Sequence, residues 1–164
     1  MRFTFWKKRH PGDSEAVLIA APHFELGRRG EAWAIEHLEQ AGYRIVASNF
    51  SLPIGRNLRD VVVNAEIDVV AYDGPTLCFV EVKTRASDDF APPQVNVDLR
   101  KRRQIARAAL AYRRMLALMA APYRYDVVSV VLPVDESAPR IELIKNFWTD
   151  ETLRKRTSYQ AHWD

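Results

Sequence analysis

The chain has 164 residues, is 48% hydrophobic and 27% charged, and carries a formal net charge of +3. That is the make-up of one soluble globular domain with room for a proper core. A single cysteine, Cys78, excludes an internal disulfide, no apolar run reaches the roughly 20 residues of a membrane-spanning helix, and with no secretory pattern at the N-terminus the cytoplasm is the expected location.

Residues 1–22 include Pro11, Gly12, Asp13 and Ser14 and have no periodicity, so they read as a flexible arm ahead of a domain spanning 23–148. Phe24, Gly27, Glu31, Ala34, Leu38 and Ala41 then recur at steps of three and four, which predicts a helix ending at Gly42. Glu31 is the misfit in this stripe, because a buried carboxylate needs a partner or a metal. Either it reaches solvent at the stripe's edge or pairs with Arg28 or Arg29, or the helix packs on a sheet and aims it at other charged groups. Tyr43 to Phe50 predicts a short strand. Ser51 to Arg59, with Pro53, Gly55 and Asn57, predicts a turn or loop, and Asp60 to Val63 one more short strand.

The run Ala65 to Arg85, AEIDVVAYDGPTLCFVEVKTR, has two β-branched stretches around the turn formers Asp73-Gly74-Pro75-Thr76 and predicts an antiparallel hairpin. Alternation puts Glu66 and Asp68 on one face of the first strand and Glu81, Lys83 and Arg85 on one face of the second. The other face, Ile67, Val69 and Ala71 with Cys78, Val80 and Val82, is a core face, so Cys78 reads as a buried small hydrophobe. If Asp73 pairs with Thr76, Asp68 falls opposite Glu81 and Glu66 opposite Lys83. Opposed side chains lie only about 5 Å apart, and like charges there repel. A cation between Asp68 and Glu81 would turn that repulsion into ligation, since Mg²⁺ or Mn²⁺ takes one or two carboxylates plus waters and phosphate oxygens. The plainer alternative is a solvated, mixed-charge strand face with a Glu66/Lys83 ion pair.

After Arg85, ASDDFAPPQVN predicts a loop of about ten residues, a length at which functional loops become common. A helix is predicted from Val97 or Asp98 to Met119, burying Ile105, Ala108, Ala109, Tyr112, Leu116 and Met119 and leaving the arginines opposite. Between Leu99 and Tyr125 there is no acidic residue, while Arg100, Lys101, Arg102, Arg103, Arg107, Arg113, Arg114 and Arg124 are all basic. Such clustering is the footprint of phosphate-backbone binding, or else a solvated helix face. Tyr125 to Leu132 and Arg140 to Phe147 predict two further strands, and 149–164 a short helix or tail. The order of elements implies an α/β domain with a mixed sheet and helices on its faces. His10, His23, His37 and His162 are scattered, and no Gly-rich phosphate loop or nucleophile elbow occurs.

Gly30-Glu31, Ala34, Gly42-Tyr43, Asn49, Glu66-Ile67-Asp68, Phe79-Val80-Glu81-Val82-Lys83-Thr84-Arg85, Lys101, Tyr125-Asp126-Val127-Val128 and Asn146-Phe147 together resemble the YraN-type family of uncharacterised bacterial proteins, over about Phe24 to Trp148. Ala65 stands where that family usually has Gly, and the segment Ser51 to Ala65 is longer than usual. The resemblance implies a restriction-endonuclease-like fold, shared with Holliday-junction resolvases, with a carboxylate on the first helix, an Asp on one strand and a Glu-x-Lys on the next. Glu31, Asp68, Glu81 and Lys83 match those positions.

The expected activity is metal-dependent phosphodiester hydrolysis on DNA, ahead of RNA, with Mg²⁺ or Mn²⁺ on Asp68 and Glu81. The Val82 carbonyl and Glu31 are further ligand candidates. Lys83 would orient water, Glu66 and Arg85 would support the ligands, and Arg100, Lys101, Arg102, Arg103 and Arg107 would hold the backbone. The alternative is a non-catalytic nucleic-acid-binding or adaptor module, or a domain whose arginines meet an acidic protein. A membrane is not an expected partner. A two-fold homodimer would suit junction cleavage, although no apolar heptad calls for one.

Overall fold

A computed structural model of the chain describes residues 22–86, 96–133 and 138–159, and no side chain is described at 22, 23 or 155–159. In chain order it comprises α1 (Pro22–Gln40), β1 (Arg44–Arg56), β2 (Val62–Asp73), β3 (Thr76–Arg85), α2 (Leu99–Met115), β4 (Tyr123–Val131), β5 (Arg140–Trp148) and α3 (Asp150–Tyr159). The strands form one sheet in the order β1-β2-β3-β4-β5. Only β3 and β4 run parallel, and the helix α2 makes the crossover that such a pair requires. This is the single α/β domain with a mixed sheet flanked by helices that the order of elements predicts. Residues 1–21 and most of the loop after Arg85 lie outside the described residues.

The helices lie on opposite faces of the sheet and give it two cores. On one face Ala34 and Leu38 of α1 pack with Tyr43, Val69, Ala71, Cys78, Val80 and Val128. On the other, Ile105, Ala108, Ala109 and Tyr112 of α2 pack with Ala65, Ile67, Val70, Phe79, Tyr125 and Trp148. Both faces are therefore covered, and the solvated strand face considered above does not exist at Glu81, which is 2% exposed.

Two expectations about the strands need correction. Ile67 does not share a core with Val69 and Ala71, because it packs on the α2 side and they pack on the α1 side. Residues two apart on a regular strand point the same way, so β2 turns over at Asp68. Its neighbour in β1 is Asn49, by the flanking pairs Ser48 with Val69 and Phe50 with Ile67, and Asn49 has a left-handed backbone (φ 50°). Residues 51–59 are also not a loop. β1 continues to Arg56 and β2 begins at Val62, so only 57–61 form the turn, closed by Asn57 Oδ1 accepting from the Arg59 and Val61 amides at 2.9 and 3.0 Å. Pro53 is tolerated because β1 is an edge strand, and Gly55 (φ 146°) takes up a register shift after it.

On the opposite face of the sheet from Glu81, Asp126 is completely buried yet fully supplied with donors: Tyr43 Oη at 3.0 Å, Arg124 Nε at 2.9 Å and the Asn146 amide at 2.8 Å. The same guanidinium donates to Asp73 at 2.5 Å, which also accepts from Lys145 at 2.8 Å. This network ties the end of α1, the β2–β3 turn, β4 and β5 together. At the C-terminal end the tail is a helix, anchored where Asp150 accepts from Tyr123 and Tyr125 hydroxyls at 2.6 and 2.9 Å.

Candidate metal and nucleic-acid site

The hairpin register places Asp73 opposite Thr76 and Val69 opposite Val80, as the turn residues predict. Main-chain pairing stops at Val69 and Val80. One step on, Asp68 uses its side chain instead, and Oδ2 accepts the Val82 amide at 2.7 Å. That bond fixes the Asp68 carboxylate beside the strand segment that carries Glu81 and Lys83.

Glu81 and Lys83 share the face of Phe79, which α2 covers, and Lys101 comes down onto them from that helix. Lys83 Nζ lies 2.8 Å from Glu81 Oε1. Lys101 Nζ lies 3.1 Å from Glu81 Oε2 and 3.8 Å from Asp68 Oδ1. Lys83 thus pairs with Glu81 and not with Glu66. Glu81 Oε2 is buried, and its counter-charge is the Lys101 ammonium. The Asp68 pKa is raised to about 7, by burial first and the Glu81 charge next, against the opposing pull of Lys101 and the Val82 amide. For Lys101 burial acts downward, but Asp68 and Glu81 outweigh it, with help from Glu66, and its pKa is raised.

Glu31 is half-buried and accepts from Asn49 Nδ2 at 3.1 Å. It follows Gly30, whose absent Cβ leaves room for Thr84: a Cβ there would stand 2.7 Å from Thr84 Cβ. Thr84 alternates with Lys83 along β3, so Glu31 approaches from the other side of the strand. Among the described residues no three His, Cys, Asp or Glu side chains come together as a metal set. The structure brings together Asp68, Glu81, Lys83 and Lys101, and places Glu31 against Asn49.

The two carboxylates fit a hard divalent cation. Asp68 Oδ1 and Glu81 Oε2 converge on one ammonium, Glu81 Oε2 is buried without a hydrogen bond, and two carboxylates are the usual protein share of a Mg²⁺ shell.

The basic residues separate into distinct groups. At 100° per residue, Arg100, Arg103, Arg107 and Arg114 share one side of α2, away from the sheet, over about 21 Å. Arg100, Arg107 and Arg114 are exposed and Arg103 is half-buried. Arg102 instead donates to the Val97 carbonyl at 2.6 Å and stacks on Phe147 and Trp148. Arg113 is buried, 3.6 Å from the Tyr123 ring centre, so not every arginine of α2 faces away from the core. Arg124 belongs to the Asp126 network.

Lys101 is the site residue whose position sequence reasoning missed. The signal was present: Lys101, Ile105, Ala108 and Tyr112 follow steps of four, three and four, so the lysine is a misfit in an apolar stripe, as Glu31 is in α1.

The profile of the Uncharacterised protein family UPF0102 matches residues 30–130. A UPF0102 protein of Geotalea uraniireducens is 41% identical over 126 residues, covering 77% of this chain and 91% of its own. One from Porphyromonas gingivalis is 44% identical over 126 residues, covering 77% and 85%. The crystal structure of SSO0001 superposes with a TM-score of 0.39 at 15% identity, over 88% of this chain and 62% of that one, so the present chain spans less than two thirds of its length. No helix among the described residues is long and apolar enough to cross a membrane.

Proposed function

The chain belongs to the uncharacterised protein family UPF0102, and we propose that it is a metal-dependent nuclease that hydrolyses phosphodiester bonds of DNA, with RNA the alternative polymer. The observation that carries this reading is the buried Glu81 carboxylate beside Asp68, with Lys83 at 2.8 Å and Lys101 at 3.1 Å. A sheet gains nothing structural from two acids forced together in a covered core, and perturbed buried carboxylates gather at working sites.

Asp68 and Glu81 would hold Mg²⁺ or Mn²⁺. Such an ion acts as a Lewis acid on a phosphoryl oxygen and lowers the pKa of an attacking water. The Val82 amide keeps Asp68 oriented, so the ligand oxygens need no rearrangement. Lys83 is the more exposed of the two lysines and follows Glu81 on the same face, where it can orient water and offset charge that develops on the phosphate. Arg85 lies two residues beyond Lys83 on β3, and the Glu66 charge is felt at Lys101. The stripe of Arg100, Arg103, Arg107 and Arg114 would carry the sugar-phosphate backbone without reading bases. A homodimer and the choice of substrate shape belong to the same proposal.

One observation favours a second reading, a nucleic-acid-binding module without turnover: both carboxylates already have cations of the protein's own. Cleavage of end-labelled single strands, flaps, four-way junctions and RNA with Mn²⁺, with EDTA and with Asp68→Ala separates the two. Cutting that needs the metal and Asp68 supports the nuclease, and Lys83→Ala should then slow it about 10²- to 10³-fold. Tight, salt-sensitive binding without cutting, unchanged in Asp68→Ala, leaves the binding module.

A further inference from the structure

Lys101 begins the basic run of the sequence, yet it does not lie with the exposed arginines. Its ammonium spans the two carboxylates, 3.1 Å from Glu81 Oε2 and 3.8 Å from Asp68 Oδ1, while Lys83 takes the other oxygen of Glu81. Two carboxylates and two ammonium groups leave the cluster formally neutral. This neutrality lets Glu81 be only 2% exposed in the core.

A divalent ion held by Asp68 and Glu81 needs the oxygens that Lys101 now faces, and two cations in one such space repel. On the metal reading proposed above, we infer that Lys101 is a resident counter-ion that occupies the metal position and must leave it when the metal binds. Its backbone stays fixed, since its amide donates to the Asp98 cap at 2.8 Å. The four-carbon stem above that anchor is flexible, so the ammonium can swing out without movement of the helix. It would then stand next to Arg100, at the head of the arginine stripe, where a phosphate is its natural partner. Lys101 is thus a positioning residue that neutralises the two carboxylates before the metal binds and adds to the polyanion surface afterwards.

The test is Mn²⁺ titration by calorimetry, without nucleic acid, on the wild type, Lys101→Met, Lys101→Gln, Arg100→Gln and Glu81→Gln. Both Lys101 variants should bind Mn²⁺ at least tenfold more tightly than wild type, Arg100→Gln should differ less than threefold, and Glu81→Gln should lose the site. Equal affinity in the wild type and both Lys101 variants, with loss in Glu81→Gln, would overturn the counter-ion role and leave the metal site standing. Equal tightening by Arg100→Gln would also overturn it, because the general field and not occupancy would be the cause. No Mn²⁺ binding by any of the five proteins would remove the metal reading itself. If neither Lys101 variant folds, lysine ¹⁵N spectra of the wild type decide: Mg²⁺ should shift the Lys101 Nζ signal, and an unmoved signal at saturating Mg²⁺ would contradict displacement.

Discussion

Asp68 Oδ2 accepts a 2.7 Å hydrogen bond from the Val82 amide, the peptide nitrogen between Glu81 and Lys83. Where the main-chain ladder would continue, a side chain has taken over, and the two strands hold three charged groups at their divergence, to which α2 adds Lys101. The bond costs Asp68 nothing as an acceptor, but burial next to Glu81 makes its negative charge expensive.

That expense has a pH signature in the metal-free protein. The Asp68 pKa rises from 3.8 to about 7 on folding, so between these values the native state holds a proton that the unfolded state has lost. The contribution of Asp68 to stability is complete below about pH 4 and is lost as pH rises through about 7, an amount on the order of 4 kcal/mol. Urea titrations in EDTA at pH 5 and pH 8 should show a smaller fall for Asp68→Asn than for the wild type. Identical falls would show that Asp68 is ordinary.

Gly30 should not tolerate a side chain. A Cβ there would stand 2.7 Å from Thr84 Cβ, an atom that cannot rotate away. Gly30→Ala should cost about 1–3 kcal/mol, as overpacking does, with partial recovery in Gly30→Ala/Thr84→Gly. Thermal melts of the single and double variants give the coupling, and additive effects would mean that α1 does not sit on β3 at this point.

The arginines should divide sharply. Arg124→Ala strips the completely buried Asp126 of its cation, which costs about 3 kcal/mol and lowers the melting temperature by about 10 °C. Arg107→Ala, on the exposed side of α2, should stay within about 0.5 kcal/mol of wild type. Circular-dichroism melts distinguish the two.

Nucleic-acid affinity should show the reverse order. Each of Arg100→Ala, Arg107→Ala and Arg114→Ala should reduce the slope of log affinity against log salt by about 0.7 to 0.9, with little dependence on base sequence. Fluorescence anisotropy at several salt concentrations measures this, and an unchanged slope in all three would place the polyanion elsewhere.

Much of this arrangement is legible in the sequence. The turn residues 73–76 fix the hairpin register, and the register sets Asp68 near Glu81. What escaped has local causes. Proline and glycine at 53 and 55 signal a loop, yet an edge strand tolerates both, so the second half of β1 reads as a loop in the sequence. The reversal of β2 at Asp68 depends on the left-handed Asn49 opposite it, which no alternation rule contains. Glu31 and Lys101 are misfits of the same kind in two apolar stripes, and only packing reveals that the lysine meets the carboxylates and that the glutamate meets Asn49. Among the cations, stacking partners such as Phe147 and Tyr123 lie on other strands, so a count of arginines along α2 cannot separate structural from exposed ones.

The claim on which the rest depends is that Asp68 and Glu81 hold a divalent metal. Diffraction from crystals grown with Mn²⁺, collected at the manganese absorption edge, tests it most directly. The account predicts one anomalous peak bound by both carboxylates, with the Lys101 ammonium withdrawn from Glu81 Oε2. A map with no peak there, at a Mn²⁺ concentration that saturates the protein in solution, and with the Lys101 ion pairs intact, would contradict it.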